Sequence, residues 1–254
     1  DPLNESGAMT TVSGTKASVS LRYSRGVPRP TTTRRLAGAV AVMLAGLALA
    51  GCAAVPQIST EPLARQSARA DLAPVTFAVV GDSITAWTSL QPGESSWVGA
   101  ARAPRVALVG GWAVSGATTS DMLESIDVVP DADVLVIMAG TNDFLPEFPD
   151  WTLDASLQRI TAIAAATGID RVVLSAIAPN DHRSAKTTEF NEALAQLASR
   201  HHWTWIDPWS SVRTSAGAFV PGVSADGIHP SVQVEMQVGT ALRAAILTAS
   251  RSDP

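Results

Sequence analysis

The sequence has almost no cysteine and almost no tyrosine. One residue of each type occurs among its 254 residues, and aromatic residues make up only 5% of the chain. A single cysteine excludes an internal disulfide as a source of stability. It also excludes the clustered cysteines of a structural zinc site. The folded part of the chain must therefore be stabilised by its hydrophobic core, and residues 52–254 are long enough to bury one.

Basic residues are scarce in most of the chain. Residues 52–254 contain 12 Lys and Arg against 21 Asp and Glu, a net charge of −9. This balance argues against nucleic acid or an anionic surface as the main partner. The sequence also lacks the His-Glu-x-x-His pattern of metalloproteases, the carboxylate loops of calcium sites and the glycine-rich phosphate loops. We therefore predict no metal and no cofactor.

A long hydrophobic run is missing as well. The uncharged apolar stretch at residues 36–50 has 15 residues, fewer than the roughly 18 that indicate a membrane-spanning helix. It follows an arginine-rich stretch without acidic residues and is followed by small residues, which is the layout of a secretory signal. Residues 1–8 precede Met9 and are interpreted as a tag remnant. We therefore exclude residues 1–51 from the folded domain.

The one cysteine, Cys52, directly follows this predicted signal. The residues Leu49-Ala50-Gly51-Cys52 resemble the lipobox of bacterial lipoproteins. The resemblance implies that Cys52 is acylated and becomes the new N-terminus, so that the protein is exported across the cytoplasmic membrane and anchored on its outer face. The alternative is a buried cysteine beside an ordinary signal sequence. The pair Arg34-Arg35 leaves twin-arginine export open beside the general secretory route.

A segment without aromatic residues follows Cys52. Pro56 and Pro62 lie in it among several Ala, Ser and Arg residues. This composition is typical of a flexible tether, which we place at residues 52–71. An N-terminal segment docked on the domain is the alternative.

From residue 75 the sequence alternates short apolar runs with segments of helical periodicity. The apolar runs predict strands, and the segments with apolar residues three or four positions apart predict helices. This alternation indicates right-handed βαβ units, so we expect a parallel sheet covered by helices on both faces, in one domain at residues 72–250. The predicted strands are 75–80, 105–109, 133–138, 171–176 and 203–206, and the predicted helices are 94–101, 118–127, 151–167, 187–200 and 231–249.

Four polar segments flank these predicted elements. Gly81-Asp82-Ser83 follows the first strand, Ser115-Gly116-Ala117 the second and Gly140-Thr141-Asn142-Asp143 the third, and Asp226-Gly227-Ile228-His229-Pro230 precedes the last helix. The first three segments should leave the same edge of a parallel sheet, where such folds bind ligands. Taken singly, each segment also fits ordinary turn and capping chemistry.

Taken together, the four segments resemble the signature of the SGNH (GDSL-type) hydrolase family. The resemblance covers most of the domain, and it implies a three-layer αβα sandwich of flavodoxin-like topology with a doubly wound parallel sheet of about five strands. Ser83, Gly116, Asn142 and His229 occupy the four signature positions in order, and Asp226 completes the Asp-x-x-His pattern.

The resemblance also implies a role for each of these residues. Ser83 would be the nucleophile, His229 the base that takes its proton, and Asp226 the carboxylate that orients the imidazole. The backbone N–H groups of Ser83 and Gly116 and the side-chain amide of Asn142 would bind the oxyanion of the tetrahedral intermediate. We therefore expect a hydrolase of carboxylic esters that works through an acyl-serine intermediate.

Aromatic residues near the polar segments are the candidate substrate contacts. Trp87, Trp112 and Phe144 would line a pocket for an acyl group or a sugar. The segments are short, which favours small acyl groups such as acetyl. The partners that we expect are a small-molecule, glycan or lipid ester and, through Cys52, the membrane. A lysophospholipase or other lipid esterase, an acyltransferase and an inert envelope-binding lipoprotein stay open as alternatives.

Overall fold

A computed structural model describes residues 20–21, 73–86, 96–148 and 150–252 of the chain. Its strands are β1 (Ser20–Leu21), β2 (Val75–Gly81), β3 (Val106–Ala113), β4 (Val134–Met138), β5 (Val172–Ser175) and β6 (Thr204–Ile206). They form one sheet in the order β1-β3-β2-β4-β5-β6. Strands β2 to β6 pair in parallel, and the two-residue β1 pairs antiparallel with β3.

The five parallel strands have the doubly wound order of a flavodoxin-like fold. β3 lies on one side of β2 and β4 lies on the other, so the direction of winding reverses between β2 and β4. The predicted fold class, an αβα sandwich with a parallel sheet of about five strands, is confirmed. At this reversal the loops after β2 and β4 leave the carboxyl edge of the sheet side by side.

Helices cover both faces of the sheet. Within the described ranges they are α1 (Ser83–Ala86), α2 (Trp97–Ala101), α3 (Thr119–Glu124), α4 (Leu153–Thr167), α5 (Ser184–Arg200) and α6 (Val232–Ala249), with single 3₁₀ turns at Ile126–Val128 and Ser210–Val212. α2 packs against α6, and α3 packs against α4. No helix in the described ranges combines the length and the hydropathy needed to cross a membrane.

The hydrophobic core is divided between the two faces of the sheet. Phe77 and Val79 of β2 are buried in one cluster with α2 and α6. Ala78 and Val80 are buried in the other cluster with α3, α4 and α5. Because successive side chains of a strand point to opposite faces, a strand buried on both faces has to be apolar along its whole length. This requirement explains the continuous apolar runs that predicted the strands.

The largest difference between the predicted and the observed elements is at β3. The strand continues past the predicted end at residue 109 to Ala113. Gly110 and Gly111 interrupt the apolar pattern, but they pair with Ala78 and Val79 of β2 after a shift in register that skips Val109. The extension brings the loop after β3 to the same sheet edge as the loop after β2.

Helix ends differ less from the prediction. α5 begins at Ser184, earlier than the predicted start at residue 187. The helix predicted at 118–127 is α3, which begins with a reciprocal pair of hydrogen bonds between Thr118 and Asp121 and is followed by a 3₁₀ turn. Of the predicted signal and tether, the structure describes only the two residues of β1. The domain limits 72–250 stay a prediction.

Candidate active site

Ser83 lies where the winding of the sheet reverses. β2 ends at Gly81, and Ser83 is the first residue of the four-residue helix α1. The side chain of Asp82 accepts a hydrogen bond from the N–H of Ile84 (3.0 Å), which holds the turn between the strand and the helix. Ser83 is 5% exposed. The turn therefore presents the serine at the carboxyl edge of the sheet with a narrow opening to solvent.

The imidazole of His229 reaches this serine from the other end of the domain. Its Nε2 lies 2.9 Å from Ser83 Oγ, across a sequence separation of 146 residues. Its Nδ1 lies 2.7 Å from Oδ2 of Asp226. The three side chains thus form a continuous row from carboxylate to imidazole to hydroxyl. Such a row can move the serine proton onto the imidazole and stabilise the cation that results.

Asp226 and His229 belong to a short loop, residues 224–230, which we call the histidine loop. Asp226 Oδ1 accepts the backbone N–H groups of Ile228 (2.9 Å) and His229 (2.7 Å). The Ser224 hydroxyl donates to the His229 carbonyl (2.8 Å) and accepts from the N–H of Gly227 (2.9 Å). These bonds fix the geometry inside the histidine loop.

The same bonds determine the charge of Asp226. Burial works to raise the pKa of Asp226, but hydrogen bonds from the His229 ring and from the N–H groups of His229 and Ile228 outweigh it. They hold the pKa of Asp226 well below its ordinary value. Asp226 is therefore a carboxylate at neutral pH and can stabilise a positive charge on His229.

Gly116 and Asn142 lie on the loops that flank the Ser83 turn. Gly116 follows β3 with a φ of +75°, a conformation that favours glycine. The Asn142 side chain donates from Nδ2 to the carbonyl of Ala117 (2.9 Å), which ties the loop after β4 to the loop after β3. Because an amide nitrogen carries two hydrogens, Nδ2 keeps a second donor for another acceptor. The fold thus brings both residues to the sheet edge that carries Ser83.

Asp143 is a buried anchor to which the sequence motif assigns no role. Its Oδ1 accepts the N–H of Thr119 (2.8 Å) and its Oδ2 accepts the Thr119 hydroxyl (2.5 Å), at the start of α3. The Ser156 hydroxyl of α4 donates to the same Oδ2. Asp143 therefore holds the loop of Asn142 against two helices. In the sequence, only its position directly after Asn142 pointed to a role for Asp143. That position is a weak signal, because acidic residues are common in turns for other reasons.

Asp82 and Glu235 are two buried carboxyl groups near the Ser83 turn. Asp82 is fully buried and Glu235 is 1% exposed. Burial raises the pKa of Asp82 to about 6, against the effect of its hydrogen bond from Ile84. Burial, with a smaller contribution from the charge of Asp82, raises the pKa of Glu235 to about 8, although its Oε2 accepts the N–H of Trp97 (2.8 Å). Glu235 is therefore mostly protonated at neutral pH.

Trp112 is a predicted pocket residue that borders a cavity. It is 7% exposed, and with Val114, Ser115 and Ala117 it lines a cavity of about 120 Å³. Ser115 and Ala117 are the two neighbours of Gly116 in the chain. The cavity therefore lies beside the loop that would supply an oxyanion donor.

Of the other two predicted pocket residues, Phe144 is buried in the core and Trp87 is not described. Phe144 is 2% exposed and packs edge-on against Trp151, with 5.7 Å between ring centroids. It belongs to the core cluster on the face of α4 and α5, and it borders neither the cavity beside Trp112 nor a larger cavity between the starts of α3 and α4. Trp87 and the predicted lipidation site Cys52 lie outside the described residues.

A larger cavity of about 400 Å³ lies between the starts of α3 and α4. Asp143 and Trp151 border it. Asp121 and Glu124 border both this cavity and the smaller one, so the two adjoin. In the part of the chain that the structure describes, no three His, Cys, Asp or Glu side chains are grouped so that they could hold a metal ion.

Comparison with known protein families gives one match. The model of the GDSL-like lipase/acylhydrolase family matches residues 79–234, which include Ser83, Gly116, Asn142, Asp226 and His229. In sequence, no curated protein matches the chain.

Comparison with solved structures gives a common fold. A GDSL-like lipase from Bacteroides thetaiotaomicron has a TM-score of 0.57 at 20% identity, covering 74% of this chain and 97% of its own. An aryl esterase from M. smegmatis has a TM-score of 0.54 at 19% identity, covering 68% of this chain and 99% of its own. An acetylxylan esterase from Geobacillus stearothermophilus has a TM-score of 0.55 at 19% identity, covering 68% of this chain and 94% of its own. At these identities the likeness is one of fold.

Proposed function

Because the chain belongs to the GDSL-like lipase/acylhydrolase family, we propose that Ser83 is its nucleophile and carries an acyl-serine intermediate. Membership of the family makes the chain an enzyme that hydrolyses ester bonds. The observation that carries the assignment of residues is the row of hydrogen bonds from Asp226 through His229 to Ser83 Oγ. A serine hydroxyl is a weak nucleophile until a base takes its proton, and His229 is the base within reach.

In the first half of the proposed reaction, Ser83 Oγ attacks the ester carbonyl while its proton moves to His229 Nε2. The carbonyl oxygen becomes an oxyanion, for which the donors are the N–H groups of Ser83 and Gly116 and the Asn142 amide. Asp226 stabilises the imidazolium. His229 then gives its proton to the leaving alcohol as the ester C–O bond breaks, and the acyl group stays on Ser83.

In the second half, water takes the place of the alcohol. His229 removes a proton from water as the water oxygen attacks the acyl-serine carbonyl, and the same donors bind the new oxyanion. The bond to Ser83 Oγ then breaks, and Oγ recovers a proton from His229 as the carboxylic acid leaves. His229 has to be neutral at the start of each half, because only the neutral ring can take a proton.

We infer that the substrates are short acyl esters, such as acetyl esters of carbohydrates. The cavity beside Gly116 has a volume of about 120 Å³, well below the roughly 300–1,000 Å³ of pockets that bury drug-sized ligands. A space of this size suits an acyl group of a few carbon atoms. The adjoining cavity, bordered by Trp151 and several carboxylates, offers the aromatic and polar groups that suit a sugar. The acetylxylan esterase of similar fold is in keeping with this inference.

A panel of p-nitrophenyl esters from acetyl to palmitoyl tests the activity and the acyl preference together. We expect kcat/KM to be highest for the acetyl ester, and Ser83→Ala to abolish turnover of every ester. Highest kcat/KM for palmitoyl would instead identify a lipid esterase. An added alcohol or sugar that captures the acyl group faster than water does would identify an acyltransferase. A folded wild type that turns over no ester would identify an inert binding lipoprotein.

We further propose that the enzyme is anchored to the outer face of the bacterial cytoplasmic membrane through Cys52. The support is the order of segments in the sequence, an arginine-rich stretch, the apolar residues 36–50 and then the single cysteine. Cys52→Ser keeps the export signal and removes the thiol that acylation needs. We expect the wild type to sediment with membranes and the exported Cys52→Ser variant to remain in the supernatant. A wild type found in the supernatant would contradict the anchor.

A further inference from the structure

The loop after β5, residues 180–183, lies against the histidine loop, and we call it the β5 loop. His182 Nε2 lies 2.9 Å from the backbone carbonyl oxygen of Asp226. One residue earlier, the N–H of Asp181 donates to the carbonyl of Gly227 (2.8 Å). Two successive residues of the β5 loop thus hold two successive carbonyl groups of the histidine loop.

The β5 loop is itself well anchored. Asn180 is 2% exposed, and its Oδ1 accepts the N–H of His182 (3.0 Å). Arg183 donates from Nη1 to the carbonyl of Phe144 (3.3 Å), on the loop that carries Asn142. The β5 loop therefore contacts two of the loops that supply site residues.

Gly227 shows how closely the two loops approach. Its φ is +75°, and a Cβ at this position would lie 2.8 Å from Asp181 Cβ and 3.1 Å from His182 Nε2. Contacts of Cβ atoms below 3.0 Å essentially never occur in real proteins. The backbone of the histidine loop is therefore packed directly onto the side chains of the β5 loop, and a larger residue at this position would push the two loops apart.

The position of the histidine loop is a separate matter from its internal geometry. Its own hydrogen bonds fix the angle between Asp226 and His229, but Ser83 belongs to a different turn at the end of β2. A displaced histidine loop would lengthen the 2.9 Å contact between His229 Nε2 and Ser83 Oγ and leave the bonds inside the loop intact. Misplacement of a catalytic group by about 1 Å can cost roughly 100-fold in rate.

We propose that His182 is a positioning residue of the active site, whose Nε2–H holds the Asp226 carbonyl and thereby sets the distance between His229 and Ser83. A carbonyl oxygen can only accept, so Nε2 of His182 carries the hydrogen, as it does in one neutral tautomer and in the imidazolium. His182 is exposed, so its side chain is not needed to fill the core. The proposal rests on the proposed function, because it requires His229 to act on Ser83.

His182→Ala and His182→Gln separate this role from a general contribution to stability. Glutamine places an amide donor near the position of Nε2, whereas alanine has no donor. Turnover of p-nitrophenyl acetate is measured per serine labelled by a fluorophosphonate at the end point of the labelling reaction, so that slower labelling does not lower the count of sites. We expect kcat of His182→Ala to fall roughly 10-fold with KM unchanged, and His182→Gln to recover most of that loss. His201→Ala removes another exposed histidine, at the end of α5, and as the control should match the wild type.

Three results would overturn the proposal. The first is a wild-type kcat in His182→Ala. The second is an equal loss of kcat in the alanine and glutamine variants. The third is a fall in the fraction of chains that are labelled, with a wild-type kcat per labelled serine. If His182→Ala does not fold, Gly227→Ala is the second variant, since it separates the same two loops. A wild-type kcat per labelled serine in Gly227→Ala would also overturn the proposal. A wild type that is neither labelled nor active would overturn the proposed function itself.

Discussion

Ser83 and Asn142 serve the proposed reaction in different ways. In that proposal the hydroxyl of Ser83 forms the covalent bond to the acyl group, and neither His229 nor Asp226 takes its place. The amide of Asn142 is one of three donors to the oxyanion, and the N–H groups of Ser83 and Gly116 remain when it is removed. The two residues should therefore differ in how much activity survives their replacement.

Ser83→Ala should abolish turnover, with a loss of about a millionfold in kcat. Asn142→Ala should keep a measurable remnant, with a loss of roughly 100- to 1,000-fold in kcat, or about 2.7–4 kcal/mol. Steady-state kinetics on p-nitrophenyl acetate measure both losses. Thermal unfolding is compared in parallel, because Asn142 also bonds to Ala117. Equal losses in two folded variants would contradict the assigned roles.

At the residue scale, the sequence predicted where a residue lies in the fold if that residue comes directly after a strand or directly before a helix. Ser83, Gly116 and Asn142 come after predicted strands and His229 comes before a predicted helix, so topology alone brings them to one sheet edge. Asp143 and His182 were not predictable in this way. Their contacts with the start of α3 and with the Asp226 carbonyl join distant parts of the chain, and no local pattern reports such contacts.

At the scale of elements, α6 carries a buried acid in its first turn. Glu235 accepts the N–H of Trp97 at the start of α2, so it joins two helices on one face of the sheet. Burial raises the pKa of Glu235 from 4.5 in the ordinary carboxyl to about 8 in the folded chain. Between those values the folded chain holds a proton that the unfolded chain releases. The free energy of unfolding should therefore decrease as the pH rises from 4.5 to about 8.

Glu235→Gln should weaken this pH dependence. The amide has the shape of the neutral carboxyl and no proton to lose, so the variant should gain stability relative to the wild type between about pH 5 and about pH 8. Urea denaturation at the two pH values measures the free energy of unfolding. Glu189→Gln, at an exposed glutamate of α5, is the control and should follow the wild type. The same pH dependence in Glu235→Gln as in the wild type would rule out this role for the buried acid.

The elements themselves could be predicted where an apolar run or a helical period was long enough. All five parallel strands lie at the predicted places. In β2, β4 and β5, burial on both faces makes nearly every residue apolar. The predicted end of β3 was wrong. Gly110 and Gly111 pair with β2 through their backbone, but they have no apolar side chain that would mark them as part of a strand. α1 has four residues, which is too short for a helical period to show.

At the scale of the whole molecule, the site depends on the order of the strands. The reversal of winding between β2 and β4 places the Ser83 turn beside the loop of Asn142. The histidine loop lies between the end of β6 and the start of α6, so the chain reaches the same edge before the last helix begins. Val75 to Ala249 span the five parallel strands and the six helices that lie in the described ranges, and β1 adds only two residues at one edge.

Removal of residues 1–71 should therefore leave both the fold and the turnover intact. We expect the shortened chain to unfold cooperatively and to hydrolyse p-nitrophenyl acetate with the kcat of the longer chain. The comparison uses a full chain that carries Cys52→Ser, so that no lipid is attached to either protein. Loss of cooperative unfolding in the shortened chain would show that the predicted domain start at residue 72 is wrong.

Covalent labelling of Ser83 is the most direct test of the central claim, that His229 and Asp226 activate this serine as a nucleophile. The measurement is the intact mass of the protein after reaction with a fluorophosphonate, followed by mapping of the modified peptide. We predict one adduct per chain, on Ser83, that forms much more slowly in His229→Ala and not at all in Ser83→Ala. An adduct on a different residue, or a folded wild type that forms none, would contradict the account.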